Sequence, residues 1–361
     1  MKLNIFILPG DGIGQEVIKA ALNVLEKVAK KWNHSLQLNE GMIGAEAIRK
    51  FGTPFPQDTE KNALLADATL LGAVGAPEFD HLPPERRPEK GLLELRRVMG
   101  VYANIRPVRI LPSILSCSPL KNEVVDGTDL VFVRELTGGL YYGQPRGIFA
   151  NEGEERAVNT MVYTKEEIER VSVIAFELAK TRRKKVTSVD KANVLETSQF
   201  WRKTVIEVSK KFPQVELEHV LVDSCAMQLV SSPRRFDVIL TENMFGDILS
   251  DEASCLAGSI GMLSSASLGK KNESGIRRGL YEPVHGSAPD IAGQNKANPC
   301  GAIGSAAAML EYSFGLKEEA YSIYGAMEKV LEKGIRPFDL KPSQKPATTS
   351  EVAEAVCKAL E

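Results

Sequence analysis

Asp247 and Asp251 stand four residues apart in Asn243-Met244-Phe245-Gly246-Asp247-Ile248-Leu249-Ser250-Asp251. On a helix that spacing puts both carboxylates on one face. Two like charges there repel by about 0.2–0.5 kcal/mol, and a divalent cation reverses the sign. Carboxylate oxygens of this kind suit magnesium or manganese; the alternative is a solvated acidic face near a helix N-terminus. Three arginines, Arg96, Arg106 and Arg134, lie in or beside apolar runs. A guanidinium is costly to bury alone, so each either meets a carboxylate of the protein or binds an anionic ligand, for which its planar fork suits a carboxylate. Lys191 closes the apolar run before it, and Tyr141-Tyr142 follow Gly138-Gly139. These are acid–base candidates or ordinary surface residues. The segment 282–298, EPVHGSAPDIAGQNKAN, holds His285 and Asp290 among glycines, and Gly286 and Gly293 would let a ligand approach the backbone closely.

Other chemistries are excluded or weakened. Gly10-Asp11-Gly12-Ile13-Gly14 follows an apolar run and precedes a helical pattern, but the third glycine of a dinucleotide loop is replaced by Gln15. A tight strand-to-helix turn explains it as well. There is no G-x-S-x-G and no Walker loop. The four histidines are scattered, and the five cysteines form no C-x-x-C pair, which disfavours zinc and a disulfide framework and fits a reducing compartment. Lys and Arg total 45 against 47 for Asp and Glu, so no global field draws nucleic acid or an anionic membrane. The apolar run Leu3–Leu8 stops at Pro9-Gly10, and no run approaches the roughly 20 residues of a membrane span. The expectation is a cytoplasmic protein with neither nucleic acid nor membrane as partner.

The elements that must position these groups alternate between strand and helix. Runs 3–8, 68–74, 102–108, 129–135, 156–163, 185–189, 216–222 and 236–240 read as strands. Helical spacing recurs at 17–29 and 91–99. Thr164 and Glu167 form a capping box ahead of the apolar stripe Ile168, Val171, Ala175, Leu178 and Ala179. Residues 253–269 are Ser- and Gly-rich and read as loop or packed helix, and the last quarter is mostly helical, with Thr348 and Glu351 capping its final helix. This is an α/β chain with helices on both faces of its sheet. Its 361 residues make about two domains at roughly 150 residues each. Prolines cluster between 77 and 119, a place for the chain to cross between them.

Together the pieces resemble the β-decarboxylating dehydrogenases of isocitrate/isopropylmalate dehydrogenase type. The likeness runs from Leu8 to the C-terminus. It is carried by GLLELRRVMGVYANIRPV (91–108), VRELTGGLYYG (133–143), SVDKANVL (188–195), ENMFGDILSDEAS (242–254) and EPVHGSAPDIAGQNKANP (282–299). The resemblance implies a two-domain α/β fold with a large mixed sheet that is not a Rossmann fold. One domain would be discontinuous and bind cofactor, 1–105 with 257–361. The other, 106–256, would carry substrate, metal and dimer contacts. It also implies a homodimer with shared active sites.

By the same resemblance Arg96, Arg106 and Arg134 clamp the carboxylates of a malate-like substrate. Asp223, Asp247 and Asp251 hold Mg2+ or Mn2+, with Asp223 also at the substrate. Tyr141 and Lys191 are the acid–base pair, Lys191 and Asp223 coming from the partner subunit. Glu89, Leu92 and Leu93 take an isopropyl group and face the nicotinamide. Gly75, Ala76, Pro77 and Glu78, with His285, Gly286, Ser287, Ala288, Pro289, Asp290, Ile291 and Asn298, bind NAD. Asp290 accepts from a ribose hydroxyl and repels a 2′-phosphate, which favours NAD over NADP. The implied reaction is NAD-dependent oxidative decarboxylation of 3-isopropylmalate to 4-methyl-2-oxopentanoate and carbon dioxide, in leucine biosynthesis. Rival substrates are D-malate, tartrate, isocitrate and homoisocitrate, and Leu92 and Leu93 argue against a third carboxylate. A non-catalytic metal-binding or scaffolding descendant is the rival of another class, opposed by a competent residue at every catalytic position. Departures from the family pattern, at Gln15, 75–79 and Ser264-Ser265, touch no reacting group, although the second adjoins the cofactor positions.

Overall fold

The computed structural model describes residues 1–151 and 154–361. In chain order its elements are β1 (Lys2–Gly10), α1 (Gly14–Lys31), β2 (Ser35–Glu40), α2 (Gly44–Phe51), α3 (Gln57–Leu65), β3 (Ala68–Ala73), α4 (Pro88–Met99), β4 (Ala103–Arg109), α5 (Asn122–Val125) and β5 (Asp129–Glu135). There follow β6 (Gly147–Asn151), β7 (Glu154–Val158), α6 (Lys165–Lys180), β8 (Lys185–Asp190), α7 (Glu196–Ser209), β9 (Glu216–Leu221), α8 (Val222–Ser231), β10 (Val238–Thr241) and α9 (Asn243–Ser254). The chain ends with β11 (Ser264–Lys271), β12 (Arg277–Pro283), α10 (Cys300–Tyr312), α11 (Lys317–Glu332) and α12 (Thr349–Ala359).

The chain forms two units: Met1–Val101 with Leu111–Pro119 and Ala257–Glu361, and Tyr102–Ile110 with Leu120–Leu256. It thus crosses between units twice inside the stretch 77–119 and again where that stretch ends, after Pro119. Residues 102–105 group with the second unit because β4 pairs with β5 along its whole length. Residues 111–119 group with the first, where Ile114 and Cys117 bury against Leu331 and Leu340.

In the first unit the strand order is β2-β1-β3-β12-β11. All neighbours are parallel except β11 and β12. Of Leu3–Leu8 only Asn4 is less than fully buried, the pattern of a parallel strand covered on both faces. α1 buries Val17, Ile18, Ala21, Val24, Leu25 and Val28 at helical spacing. α10 is buried from Cys300 to Leu310, and its small side chains let it pack against α1, α11, β11 and β12 together.

The second unit has the order β4-β5-β10-β8-β9. β4 and β5 are antiparallel and the others parallel. β6 and β7 form a separate antiparallel ribbon. The capping box predicted at Thr164 and Glu167 closes as expected and starts α6. The architecture is α/β with mixed sheets.

The turn after β1 is not a dinucleotide loop. The N–H groups of Asp11, Ile13 and Gly14 already donate to the carbonyls of Ala73, Ser287 and Asp11. A Cβ on Gly12, at φ +55°, would stand 2.0 Å from Ser287 O, so protein backbone fills the place a pyrophosphate would need.

Two readings of the sequence are corrected. Residues 159–163 are not strand: β7 ends at Val158, and Val162 O instead accepts from Gly139 N while Thr160 Oγ1 donates to Pro145 O. The Ser-rich stretch 253–269 is neither plain loop nor helix throughout, since β11 begins at Ser264 inside it. Ser264, Ser265 and Ser267 are buried there, where a covered strand more often carries apolar side chains.

Candidate active site

Strand β10 ends at Thr241, and Glu242 then caps α9. Its Oε1 accepts from Phe245 N at 2.7 Å and its Oε2 from Met244 N at 3.1 Å. With the helix start so fixed, Asp247 and Asp251 project from one face. Beside them lies Arg134, the last residue but one of β5, whose side chain is 4% exposed. Arg134 Nε donates to Asn243 Oδ1 at 2.9 Å and Nη1 to Asp247 Oδ1. On β4, Arg106 Nε donates to Asn104 Oδ1 at 2.8 Å, and Nη1 donates to Ser250 Oγ at 2.8 Å and Asp251 Oδ1 at 3.1 Å. Its Nη2 lies 3.7 Å from Asp247 Oδ1. The turn after β5 brings Tyr141, which donates to Asp247 Oδ2 at 2.9 Å and sits under the Arg134 guanidinium. Arg106, Arg134, Tyr141, Asp247 and Asp251 thus form one cluster.

The charges set the protonation states. Burial pushes the Asp247 carboxyl up, but Arg134, the Tyr141 hydroxyl and Arg106 outweigh it and hold the group below its ordinary value. Asp251 is raised by burial, reinforced by repulsion from Asp247 and only partly offset by Arg106. Tyr141 is pushed up to about 12 by burial and by the Asp247 carboxylate, and so keeps its proton at neutral pH. Two carboxylates face two guanidiniums. A dianionic ligand and a cation would exchange partners here, the ligand's carboxylates taking the arginines and the cation the aspartates. Among the described residues no three His, Cys, Asp or Glu gather into a metal-holding group.

Lys191 and Asp223 make a second pair, Nζ to Oδ1 at 2.6 Å, just beyond the paired strand ends Asp190 and Leu221. The lysine holds the Asp223 carboxyl below its ordinary value. Asp190 is fixed by two 2.8 Å bonds from Arg202 and one from Ala192 N, while Ser198 Oγ accepts from Lys191 N.

In the first unit Glu89, Leu92, Leu93 and Arg96 share one face of α4, next to the buried stripe of Gly91, Leu95 and Met99. Arg96 Nη2 donates to Glu282 Oε1 at 2.7 Å. Gly75, at φ +133°, has its N–H on Asp11 Oδ2, and a Cβ there would lie 3.1 Å from Glu89 Oε1 and 3.7 Å from Ser287 Oγ. Gly75, Glu89 and Ser287 therefore adjoin. Glu78 pairs with Arg49 instead, next to the exposed Pro77 and the partly covered Ala76. His285 is buried; its Nδ1 lies 2.9 Å from Gly286 O, and its Nε2 has no partner. Burial pushes its pKa down, so the ring is neutral. Gly286, Pro289 and Asp290 are exposed, Ala288 and Ile291 half-buried. Asn298 donates to Asp339 Oδ2 at 3.0 Å and accepts from Cys300 N at 3.0 Å.

Sequence reasoning passed over Asn104, Asn243, Ser250, Glu242 and Glu282, which hold the arginines and the helix start. Glu242 had a signal, an acidic N-cap position ahead of Asn243-Met244-Phe245. The others lie inside the motif blocks but face a partner only after folding.

The family model described as isocitrate/isopropylmalate dehydrogenase matches residues 4–356. A protein of Geobacillus kaustophilus named 3-isopropylmalate dehydrogenase is 55% identical over 353 residues, 98% of this chain and 94% of that protein. One of the same name from Bacillus subtilis is 53% identical, covering 100% of this chain and 98% of the other. Among solved structures, isocitrate dehydrogenase from Methylococcus capsulatus superposes with a TM-score of 0.86 at 34% identity, covering 99% of both chains. With these likenesses spanning the whole chain, it belongs to the isocitrate/isopropylmalate dehydrogenase family.

Proposed function

We propose that the chain catalyses NAD-dependent oxidative decarboxylation of 3-isopropylmalate to 4-methyl-2-oxopentanoate and carbon dioxide, with Mg2+ or Mn2+. The observation that carries it is the cluster of Arg106, Arg134, Tyr141, Asp247 and Asp251, in a chain 55% identical to a protein named for that substrate. The donor set fits a hard cation: two carboxylates from one chain, with Asp223 of a second copy as the third. NAD fits the first unit, where the orphaned His285 Nε2 awaits a polar partner and exposed Asp290 suits a ribose hydroxyl.

When bound, the cation would polarise the substrate's oxygen and NAD would accept the hydride. Arg106 and Arg134, with Arg96, bind the substrate carboxylates and fix its orientation. Leu92 and Leu93, on the Arg96 face of α4, receive the apolar side chain. Lys191 takes the hydroxyl proton. After carbon dioxide leaves, Tyr141, protonated at neutral pH, gives its proton to the enolate carbon.

The homodimer reading is supported by Met227, Val230 and Ile248, large apolar side chains exposed on the packed helices α8 and α9. No helix among the described residues is long and apolar enough to cross a membrane. The five free cysteines suit the cytoplasm. Purified protein given 3-isopropylmalate, NAD and MgCl2 should form NADH and carbon dioxide one for one. Faster turnover of isocitrate or D-malate would reassign the substrate, and no turnover of any would overturn the enzyme reading.

A further inference from the structure

Tyr163 lies outside the cluster yet touches both elements that build it. Its hydroxyl donates to Glu242 Oε2 at 2.9 Å and accepts from Asn243 N at 2.9 Å, so it grips the first residues of α9. Its ring lies against the turn that carries Tyr141. A Cβ on Gly138 would meet Tyr163 Cε1 at 2.7 Å, and one on Gly139, at φ +78°, would meet its hydroxyl oxygen at 2.3 Å. Gly138 O in turn accepts from Asn243 Nδ2 at 3.1 Å. Two glycines side by side are what allow the ring so close. On its other side the ring packs edge-on against Trp201, 5.5 Å between centroids. One buried side chain therefore fixes the distance between the turn of Tyr141 and the helix of Asp247. It also sets Asn243, whose Oδ1 orients Arg134.

We infer that Tyr163 is a positioning residue for the reaction, holding the Tyr141 turn and the Asp247 helix in register through its hydroxyl. The inference rests on the site reading above, in which Asp247 and Asp251 bind the cation and Tyr141 donates the proton. A hydroxyl that served only stability would, when removed, lower the melting temperature and leave the affinity for metal and the proton step alone. A positioning hydroxyl changes both, because outer partners of this kind typically alter metal affinity or activity by about 10- to 100-fold.

The test is Tyr163→Phe, which deletes one oxygen and keeps the ring. Mn2+ binding to the intact assembly without substrate is read by calorimetry, and kcat and KM for 3-isopropylmalate are read separately. The expected result is Mn2+ affinity about 10-fold weaker and kcat reduced by more than KM is raised. Phe176→Leu is the control for stability alone, since Phe176 is buried in the same unit and stacks on Phe212, away from the cluster. Should Tyr163→Phe not fold, Glu242→Gln is measured in the same way. Glu242 serves three donors with two oxygens, and an amide leaves only one oxygen to accept. Wild-type Mn2+ affinity and kcat in the variant would overturn the inference, as would an equal loss in Phe176→Leu. A wild type that binds no Mn2+ would overturn the site reading and this inference with it, whereas normal wild-type binding with an unaffected variant overturns the inference alone.

Discussion

Tyr141 donates its hydroxyl hydrogen to Asp247 Oδ2 across 2.9 Å, so the proposed proton donor and a proposed metal ligand are directly bonded. The same carboxylate also takes Arg134 on its other oxygen. Replacing Asp247 by Asn keeps an acceptor and the side-chain shape but removes the charge a cation needs. Turnover should nearly vanish and Mg2+ binding weaken, with the circular dichroism spectrum unchanged. Full activity in the presence of a chelator and no added divalent metal would refute the metal assignment.

Glu135 is fully buried beside Arg134 and accepts from Thr137 N, Gly138 N and Thr137 Oγ1. Burial nevertheless raises its pKa above the ordinary 4.5, against the pull of those bonds and of Arg170. At pH between the unfolded and folded values, the folded state therefore holds a proton that the unfolded state releases. Stability contributed by that group is present below the unfolded value and is lost as pH rises through the folded one. Glu135→Gln cannot lose a proton. The melting temperature of the wild type, relative to this variant, should thus fall on going from pH 4.5 toward neutrality. A difference that stays flat, or moves the other way, contradicts the sign of the shift.

Cofactor choice rests on Asp290, exposed in the segment that follows His285. The wild type should prefer NAD strongly. Asp290→Lys with Ile291→Tyr removes the repulsion toward a 2′-phosphate and adds a cation and a hydroxyl, so the ratio of kcat/KM for the two cofactors should shift toward NADP. Equal use of both cofactors by the unmodified protein would show that Asp290 does not read the ribose.

What the chain reveals before folding follows from the range of each signal. Asp247 and Asp251 could be paired by helical periodicity alone, because their relation is local. That Arg106 and Arg134 both reach them depends on β4, β5 and β10 lying side by side, a tertiary fact. The glycine count at 10–15 counts against a dinucleotide loop but not what fills the turn, which is the backbone of Ser287, far along the chain. β11 was hidden because Ser264, Ser265 and Ser267 are buried yet polar, so no apolar run marks the strand. Tyr163 falls at the end of an apolar-looking stretch read as strand, and its function is visible only once Gly138, Gly139 and Asn243 surround it.

Lys191 and Asp223 are paired with each other, while Arg106 belongs to the Asp247 cluster. If each active site draws Lys191 from the opposite chain, the two groups can be separated genetically. Lys191→Ala should be inactive because the base is gone, with dimer and cofactor binding retained. Arg106→Ala should be nearly inactive for another reason, the loss of a substrate carboxylate's partner at roughly 2–5 kcal/mol. A mixed dimer of the two then has one doubly defective site and one intact site. Unfolding and refolding the inactive proteins together should restore activity, approaching about a quarter of wild type if chains pair at random in a two-fold dimer. Were both groups supplied by one chain, every site would carry a lesion and nothing would return. Verified heterodimers without regained activity therefore refute the cross-subunit arrangement, and the separate assays of substrate and cofactor turnover stand regardless.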